Sequence, residues 1–445
     1  MRIGVREPRV RVLLGRLLKA ALAAADPRQA VRCAVARTTT GIRVAGQRYD
    51  LRDGGKIVAV GAGKAAAVMA AALEQRLGAR VAGGLVVTKR RHAVPTKRIT
   101  VVQAGHPVPD RAGQQAAARL LALANGLTRD DLLIVLLSGG ASSLLPLPAP
   151  GLTLADKQRT TELLLRCGAS INEMNAVRKH LSAIKGGHLA AATGARVVTL
   201  ILSDVIGDDV GTIGSGPTAP DRTTYADALT VLRRRGVWKR VPARVRRHLL
   251  AGTAGSRAET PKPGSPIFTR VQNLILGNNR TAVHAAAREA RRTGFRPCLH
   301  SVALRGEAVK AARLFSQLAK KIRKQGRPVR PPVCLIAGGE LTVTVHGRGR
   351  GGRAQEFALA AAIAMDGLRN VWVAGIGTDG TDGPTDAAGA IVDGETAAAA
   401  RQNGMDPGRF LRRNDSYAFF KKAGGHIVTG PTGTNVNDLY LLIAT

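Results

Sequence analysis

The stretch V-V-T-L-I-L-S-D-V-I-G-D-D-V-G-T-I-G-S-G-P, residues 197–217, decides the fold. It opens with a β-rich apolar run, residues 197–202, of the length of a buried strand. Asp204, Asp208 and Asp209 follow in quick succession, interleaved with glycines and closed by S-G-P. In an open α/β sheet, ligands sit beyond the carboxyl ends of the strands, which puts Asp204 at the mouth of a crevice. Acids gathered beside glycines suit a divalent cation held for phosphate chemistry. Asp and Gly also build ordinary turns for backbone reasons alone, and the stretch by itself fits either reading.

Upstream, K-I-V-A-V (56–60) reads as a strand running into G-A-G-K-A-A-A-V-M. Gly61, Gly63 and Ala66 match the G-x-G-x-x-A phosphate fingerprint, in which a tight turn lets backbone N–H groups and a helix N-terminus face an anion. A nicotinamide cofactor's ribose calls for an acid after the next strand, but residues 84–88 end in Lys89-Arg90-Arg91. Those charges suit a 2′-phosphorylated cofactor, so an NADP-dependent reductase stays open. Lys64 opposes the helix dipole unless an anion sits beside it, which favours phosphoryl chemistry. The loop 105–110, G-H-P-V-P-D, makes His106 a turn residue. The strand 132–137 opens into S-G-G-A-S-S, where Ser138, Gly139, Gly140, Ser142 and Ser143 offer a concavity of N–H and O–H donors suited to phosphate. No Walker A sequence occurs, which argues against a P-loop NTPase. A helix follows in which Asn172, Asn175 and Lys179 share one face fit for an anion, with Gly186-Gly187 as its expected cap.

In the second half, the proline-dense segment 324–332 is the expected domain boundary. Beyond it, Arg353 follows a glycine-arginine loop at a helix entrance, placed to clamp a phosphoryl group bidentately. Asp379, Asp382 and Asp386 lie just past another buried strand, and T-G-P-T-G-T-N-V-N-D-L (429–439), which contains Asn435, is a third hydroxyl- and amide-rich loop.

The chain of 445 residues is too long for one ordinary core. Its net charge of +37 favours anionic partners, but the basic residues are scattered and aromatics make up only 3%, which argues against dedicated nucleic-acid binding. Four widely spaced cysteines fit a reducing cytoplasm and give no soft-metal site. No apolar run reaches the roughly 18 residues needed to span a bilayer. The basic, amphipathic N-terminus reads as a first helix ending near Ala24.

G-A-G-K-A-A, G-H-P-V-P-D, S-G-G-A-S-S-L-L, N-A-V-R-K-H-L-S-A-I-K-G-G, S-D-V-I-G-D-D, G-G-R-A-Q-E-F-A-L, G-T-D-G-T-D-G-P-T-D-A-A-G-A and T-G-T-N-V-N-D-L occur in this order. So arranged, they resemble the glycerate 2-kinases of the MOFRL family, formerly called hydroxypyruvate reductases. The resemblance implies a Rossmann-like three-layer α/β/α N-terminal domain (1–328), a smaller mixed α/β C-terminal MOFRL domain (329–445), and an active site in the cleft between them. It implies the reaction of ATP with D-glycerate to give 2-phosphoglycerate, with Mg²⁺ or another divalent cation. Lys64, Asp204, Arg353 and Asp379 carry over as catalytic residues, Asp204 and Asp379 also as metal ligands. Gly61, Gly63, Ser138, Gly139, Gly140, Ser142, Ser143 and Asn435 are expected to bind the nucleotide phosphates, and Asn175 and Lys179 the substrate. A homodimer is compatible with the resemblance; a nucleic-acid or membrane partner is not expected. Ala354 departs from the family, which commonly has Asn beside the arginine.

Overall fold

The computed structural model describes residues 1–51 and 54–445. The chain divides into two compact units: Pro27–Leu276, and a discontinuous unit made of Met1–Asp26 and Gly277–Thr445.

The first unit is built on a six-stranded sheet. Its strands lie in the order Ile99–Ala104, Val81–Lys89, Ile57–Ala62, Leu132–Leu137, Arg196–Leu202 and Val271–Gly277. The first five pair in parallel. Counted along the chain this is order 3-2-1-4-5-6, the doubly wound arrangement whose order reverses between the first and fourth strands. All residues of these two central strands are buried, as runs without polar alternation require when both faces are covered. Successive side chains go to opposite faces. Ile57 and Ala59 join Met69 and Leu73 of helix Ala66–Leu77, while Val58 and Val60 join Ala117 and Leu120 of helix Arg111–Asn125. This is the expected three-layer α/β/α sandwich. Helices Leu154–Arg166, Ile171–His180, Tyr225–Arg234 and Ala243–Thr253 contribute to a separate cluster around Leu164, Val177, Leu232 and Leu249.

The second unit carries a seven-stranded mixed sheet in the order Arg2–Ile3, His426–Val428, Gly389–Asp393, Val371–Gly377, Asp438–Ala444, Val333–Thr342 and Arg296–Glu307. Leu14, Leu17 and Leu18 of helix Pro8–Ala24 share one core with Val283 and Ala286 of helix Asn279–Arg292 and with Ile336 and Leu441 of the sheet. On a second core, Phe315, Phe357, Phe419 and Tyr440 pack together. The expected boundary at 328/329 therefore falls inside this unit. Helix Ala308–Gln325 and the proline-dense segment after it connect two strands that pair in parallel, Arg296–Glu307 and Val333–Thr342. Among the described residues no helix is long and apolar enough to cross a membrane.

A second departure concerns the segment 171–187. The helix covers only Ile171–His180, with Leu181 at its end, and Gly186-Gly187 does not cap it. Ser182 instead bridges to Pro148 and donates to the Leu147 carbonyl at 3.0 Å, so the apolar residues beyond His180 serve core contacts rather than a further helical turn. Gly187, in a left-handed conformation, precedes the short helix His188–Ala191.

Candidate active site

In the first unit, the loops leaving the two central strands meet at the point where strand order reverses. Lys64 N–H donates to Gly139 O at 2.9 Å, and Ala65 N–H donates to Ser138 Oγ at 3.0 Å. Gly63 N–H donates to Val87 O at 3.0 Å. These donors of the glycine turn therefore serve protein oxygens. Both turn glycines are needed for close approach: a β-carbon on Gly61 would lie 2.0 Å from Leu136 O, and one on Gly63 would lie 2.0 Å from Ser138 Oγ. At Gly61 and Gly63 the absent β-carbons let two strands and their loops close on each other.

The loop after Leu137 collects the other groups. A β-carbon on Gly139 would sit 2.0 Å from Asp204 Oδ2, so only glycine admits the carboxylate there. Gly140, at φ +88°, would bring a β-carbon within 2.8 Å of the His106 ring and 3.7 Å of Lys64 Cγ. Lys64, His106 and Asp204 thus share one glycine pair. Burial first, then the charges of Lys64, Lys89 and His92, push His106 down to about 4, which leaves its imidazole neutral at physiological pH. Sequence reasoning passed over His106, because no local pattern separates a turn histidine from one facing a lysine.

Asp209 and Asp208 occupy a turn. Asp209 accepts from Thr212 Oγ1 at 2.6 Å and Gly211 N at 3.1 Å, a turn closed on itself, and Asp208 adopts φ +55°. Asp204 faces the S-G-G loop. Among the described residues, no group of three or more His, Cys, Asp or Glu side chains converges as a metal cage.

Further along the loop, Ser143 Oγ donates to Gly140 O at 3.1 Å. Ser142 Oγ lies 2.9 Å from Ser215 Oγ, which donates to Asn175 Oδ1 at 3.0 Å. Asn175 is buried, not solvated as the polar side of a surface helix is. Lys179 is buried too, its Nζ 3.1 Å from Asp221 Oδ1. Burial opposes ionisation of Asp221, but the Lys179 charge and the Thr223 hydrogen bonds outweigh it and hold the carboxyl below its ordinary value. The substrate-binding expectation for Lys179 therefore meets a lysine already engaged by a buried carboxylate.

In the second unit, Arg353 opens the helix Arg353–Ala364. Its Nε donates to Asp438 Oδ2 at 2.5 Å, Nη2 to Asp438 Oδ1 at 3.2 Å, and Nη1 to Glu340 Oε1 at 2.8 Å. Burial opposes its charge, yet the hydrogen bonds and charges of Asp438 and Glu340 raise its pKa and keep it cationic. Ala354 is wholly buried, and its N–H donates to Asp382 Oδ1 at 3.0 Å. Asp382 also accepts from Gln355 N at 2.8 Å and Gln355 Nε2 at 3.0 Å, so this acid serves the helix start. Asp379, half-buried, accepts from Thr381 N and Oγ1, and Asp386 accepts from Tyr417. Asn435 Oδ1 accepts from Asn437 N at 3.3 Å within its own loop.

Residues 13–250 match the family model described as Domain of unknown function (DUF4147), and residues 333–438 match that of the MOFRL family. The chain is 43% identical to the glycerate 2-kinase of Pyrococcus horikoshii, over 97% of this chain and 96% of that protein. It is also 43% identical to a putative hydroxypyruvate reductase of Agrobacterium vitis, over 97% and 94% respectively. The crystal structure of glycerate kinase (EC 2.7.1.31) from Thermotoga maritima matches with a TM-score of 0.86 at 41% identity, over 97% of this chain and 99% of that one. With likeness of sequence and fold running nearly end to end, the chain belongs to the MOFRL-containing glycerate kinase family.

Proposed function

We propose that the protein transfers the terminal phosphoryl group of ATP to the 2-hydroxyl of D-glycerate, giving 2-phosphoglycerate and ADP. The observation that carries this reading is the meeting of Lys64 and Asp204 on Gly139-Gly140 at the strand-order reversal, where doubly wound sheets bind ligands. Phosphoryl transfer asks mainly for positioning and charge neutralisation. Lys64 supplies positive charge beside the S-G-G-A-S-S loop, and the neutral imidazole of His106 adds none that would compete for the same oxygens. Asp204 holds the cation or accepts the proton of the 2-hydroxyl. Within the second unit, Arg353 is a bidentate donor of the kind that binds phosphoryl oxygens, and Asp379 a carboxylate of the kind that holds a cation.

A half-buried single carboxylate at a strand end fits Mg²⁺, which binds through one or two carboxylates, substrate phosphates and retained water rather than a closed protein cage. Bound there, the ion would neutralise charge on the nucleotide's phosphate oxygens.

NADP-dependent reduction of hydroxypyruvate is less well supported by the geometry. The N–H groups of Gly63, Lys64 and Ala65 are taken by protein oxygens, and Arg90 pairs with Asp110 at 2.6 Å. Two assays separate the readings. With D-glycerate, ATP and Mg²⁺, phosphorus NMR should show 2-phosphoglycerate and ADP; with hydroxypyruvate, NADPH absorbance should stay constant. Phosphate on carbon 3, or oxidation of NADPH without ADP formation, would sink the proposal. Lys64→Ala should lower kcat by about 10²–10³ with an unchanged circular-dichroism spectrum.

A further inference from the structure

Lys179 is engaged by Asp221, whereas Lys157, Arg178 and Lys185, in the same part of the first unit, form no ion pair with an acid among the described residues. Lys157, on helix Leu154–Arg166, is 8% exposed, and its Nζ donates to Leu147 O at 3.1 Å. Lys185 is 2% exposed, and its Nζ donates to Ser142 O at 2.7 Å and Ser142 Oγ at 3.2 Å. Both ammonium groups are therefore moored on neutral oxygens of one segment, residues 142–147. Arg178, half-buried on helix Ile171–His180, makes no hydrogen bond or ion pair with any described residue. Lys157 and Arg178 are the charged neighbours that act on Lys185, and Arg178 the one that acts on Lys157.

The same place holds an unsatisfied amide. Ser142 Oγ leads through Ser215 Oγ to Asn175 Oδ1, and Asn175 Nδ2 is buried without a hydrogen-bond partner. Clustered buried cations and a stranded N–H donor are costly unless an anion completes them. Ser142, Ser143 and Arg178 keep part of their surface in solvent, so the cluster is reachable. Both lysines are more than nine-tenths buried, so an anion that reaches them must shed its water, which a singly charged carboxylate does at lower cost than a triphosphate.

We propose that Lys157, Arg178 and Lys185, with the Asn175 amide, form an oxyanion subsite that holds the carboxylate of the hydroxy-acid substrate. The assignment rests on the kinase reading above and deepens it. A carboxylate anchored here fixes the neighbouring carbon, whose hydroxyl is the one at position 2, and leaves the 3-hydroxyl a bond further away. Burial, then the Arg178 charge, brings Lys157 down to about 7, and burial with the charges of Lys157 and Arg178 takes Lys185 well below its ordinary value. An arriving anion restores the missing proton, so binding takes up protons and weakens as pH rises above about 7.

The test uses Arg178→Gln, whose partly exposed site tolerates the change, Lys185→Met, which removes a buried charge, and Arg178→Lys as the conservative control. In steady-state assays, Arg178→Gln and Lys185→Met should raise KM for D-glycerate about tenfold or more, leave KM for ATP within about twofold, and Arg178→Lys should recover part of the loss. A rise confined to KM for ATP would reassign the cluster to nucleotide phosphate; no change in either constant would overturn it. The second readout needs no turnover: melting of the wild type with D-glycerate, and separately with inorganic phosphate, without nucleotide. Protection by D-glycerate that is lost in Arg178→Gln supports the subsite, even in a wild type that forms no ADP, the outcome that would sink the kinase reading alone. Protection by phosphate only, or by neither, overturns the carboxylate assignment.

Discussion

Held by Asp438 and Glu340, Arg353 can offer a phosphoryl group only the N–H donors that those carboxylates leave free, one on each terminal nitrogen. Arg353→Lys keeps the charge but loses the fork, and kcat should fall by about 10². Arg353→Ala would confuse the result, because it strands the buried Asp438. Its stability cost is about 2–4 kcal/mol, toward the low end because the arginine side chain is 33% exposed. Lys157 makes a prediction about pH. Its folded-state pKa of about 7 lies below the 10.5 of an unperturbed lysine. The unfolded chain therefore binds the proton more readily between those values, and the ligand-free protein loses stability as pH falls from 10.5 to 7. Lys157→Met should thus melt above the wild type at pH 7, with the difference shrinking toward pH 10 in a scan of Tm against pH. Lys64 and Asp204 were legible in the sequence because glycine loops directly after apolar runs mark strand ends. Lys157, Arg178 and Lys185 were not, since their burial is decided by segments 142–147 and 171–187 folding against each other, which no local spacing records.

Helix Arg353–Ala364 begins after Gly352, which has no side chain to cap it. Asp382 does that work from a distant loop, accepting the Ala354 and Gln355 N–H groups that the helix leaves unpaired. Asp382→Ala should cost about 2 kcal/mol, read as a lower urea midpoint at unchanged m, and should also lower kcat by loosening the turn that carries Arg353. Residue pattern alone did not separate Asp382 from Asp379 and Asp386, and only the family resemblance singled out Asp379, because the partners that distinguish the three lie elsewhere in the chain. The strand Leu132–Leu137 was legible residue for residue, since a short apolar run bounded by polar turns has few alternatives. The helix ending at His180 was overrun because Leu181 and Ile184 continue an apolar period that serves the core in either conformation. At Gly61 and Gly63 the absent β-carbons admit a neighbouring strand and its loop, a contact that the residue pattern alone does not record.

The discontinuous unit shows where sequence reasoning about domains stops. Proline density at 324–332 reads as a linker, yet strand Arg296–Glu307 before it pairs with strand Val333–Thr342 after it, and pairing across such a segment leaves no local trace. A fragment covering residues 27–276 should therefore melt cooperatively by circular dichroism. A fragment covering residues 329–445 should not, because it lacks that edge strand and the helices Pro8–Ala24 and Asn279–Arg292 that complete its core. Cooperative melting of the shorter fragment would contradict the division. The same discontinuity matters during synthesis. The apolar face of the first helix leaves the ribosome roughly 250 residues before the sequence it packs against, a wait on the order of 10–50 s at ordinary elongation rates. Through that interval the nascent chain carries a basic, amphipathic leading segment with nowhere to dock, so a holdase that shields it should raise the yield of native protein more than one acting on the finished chain.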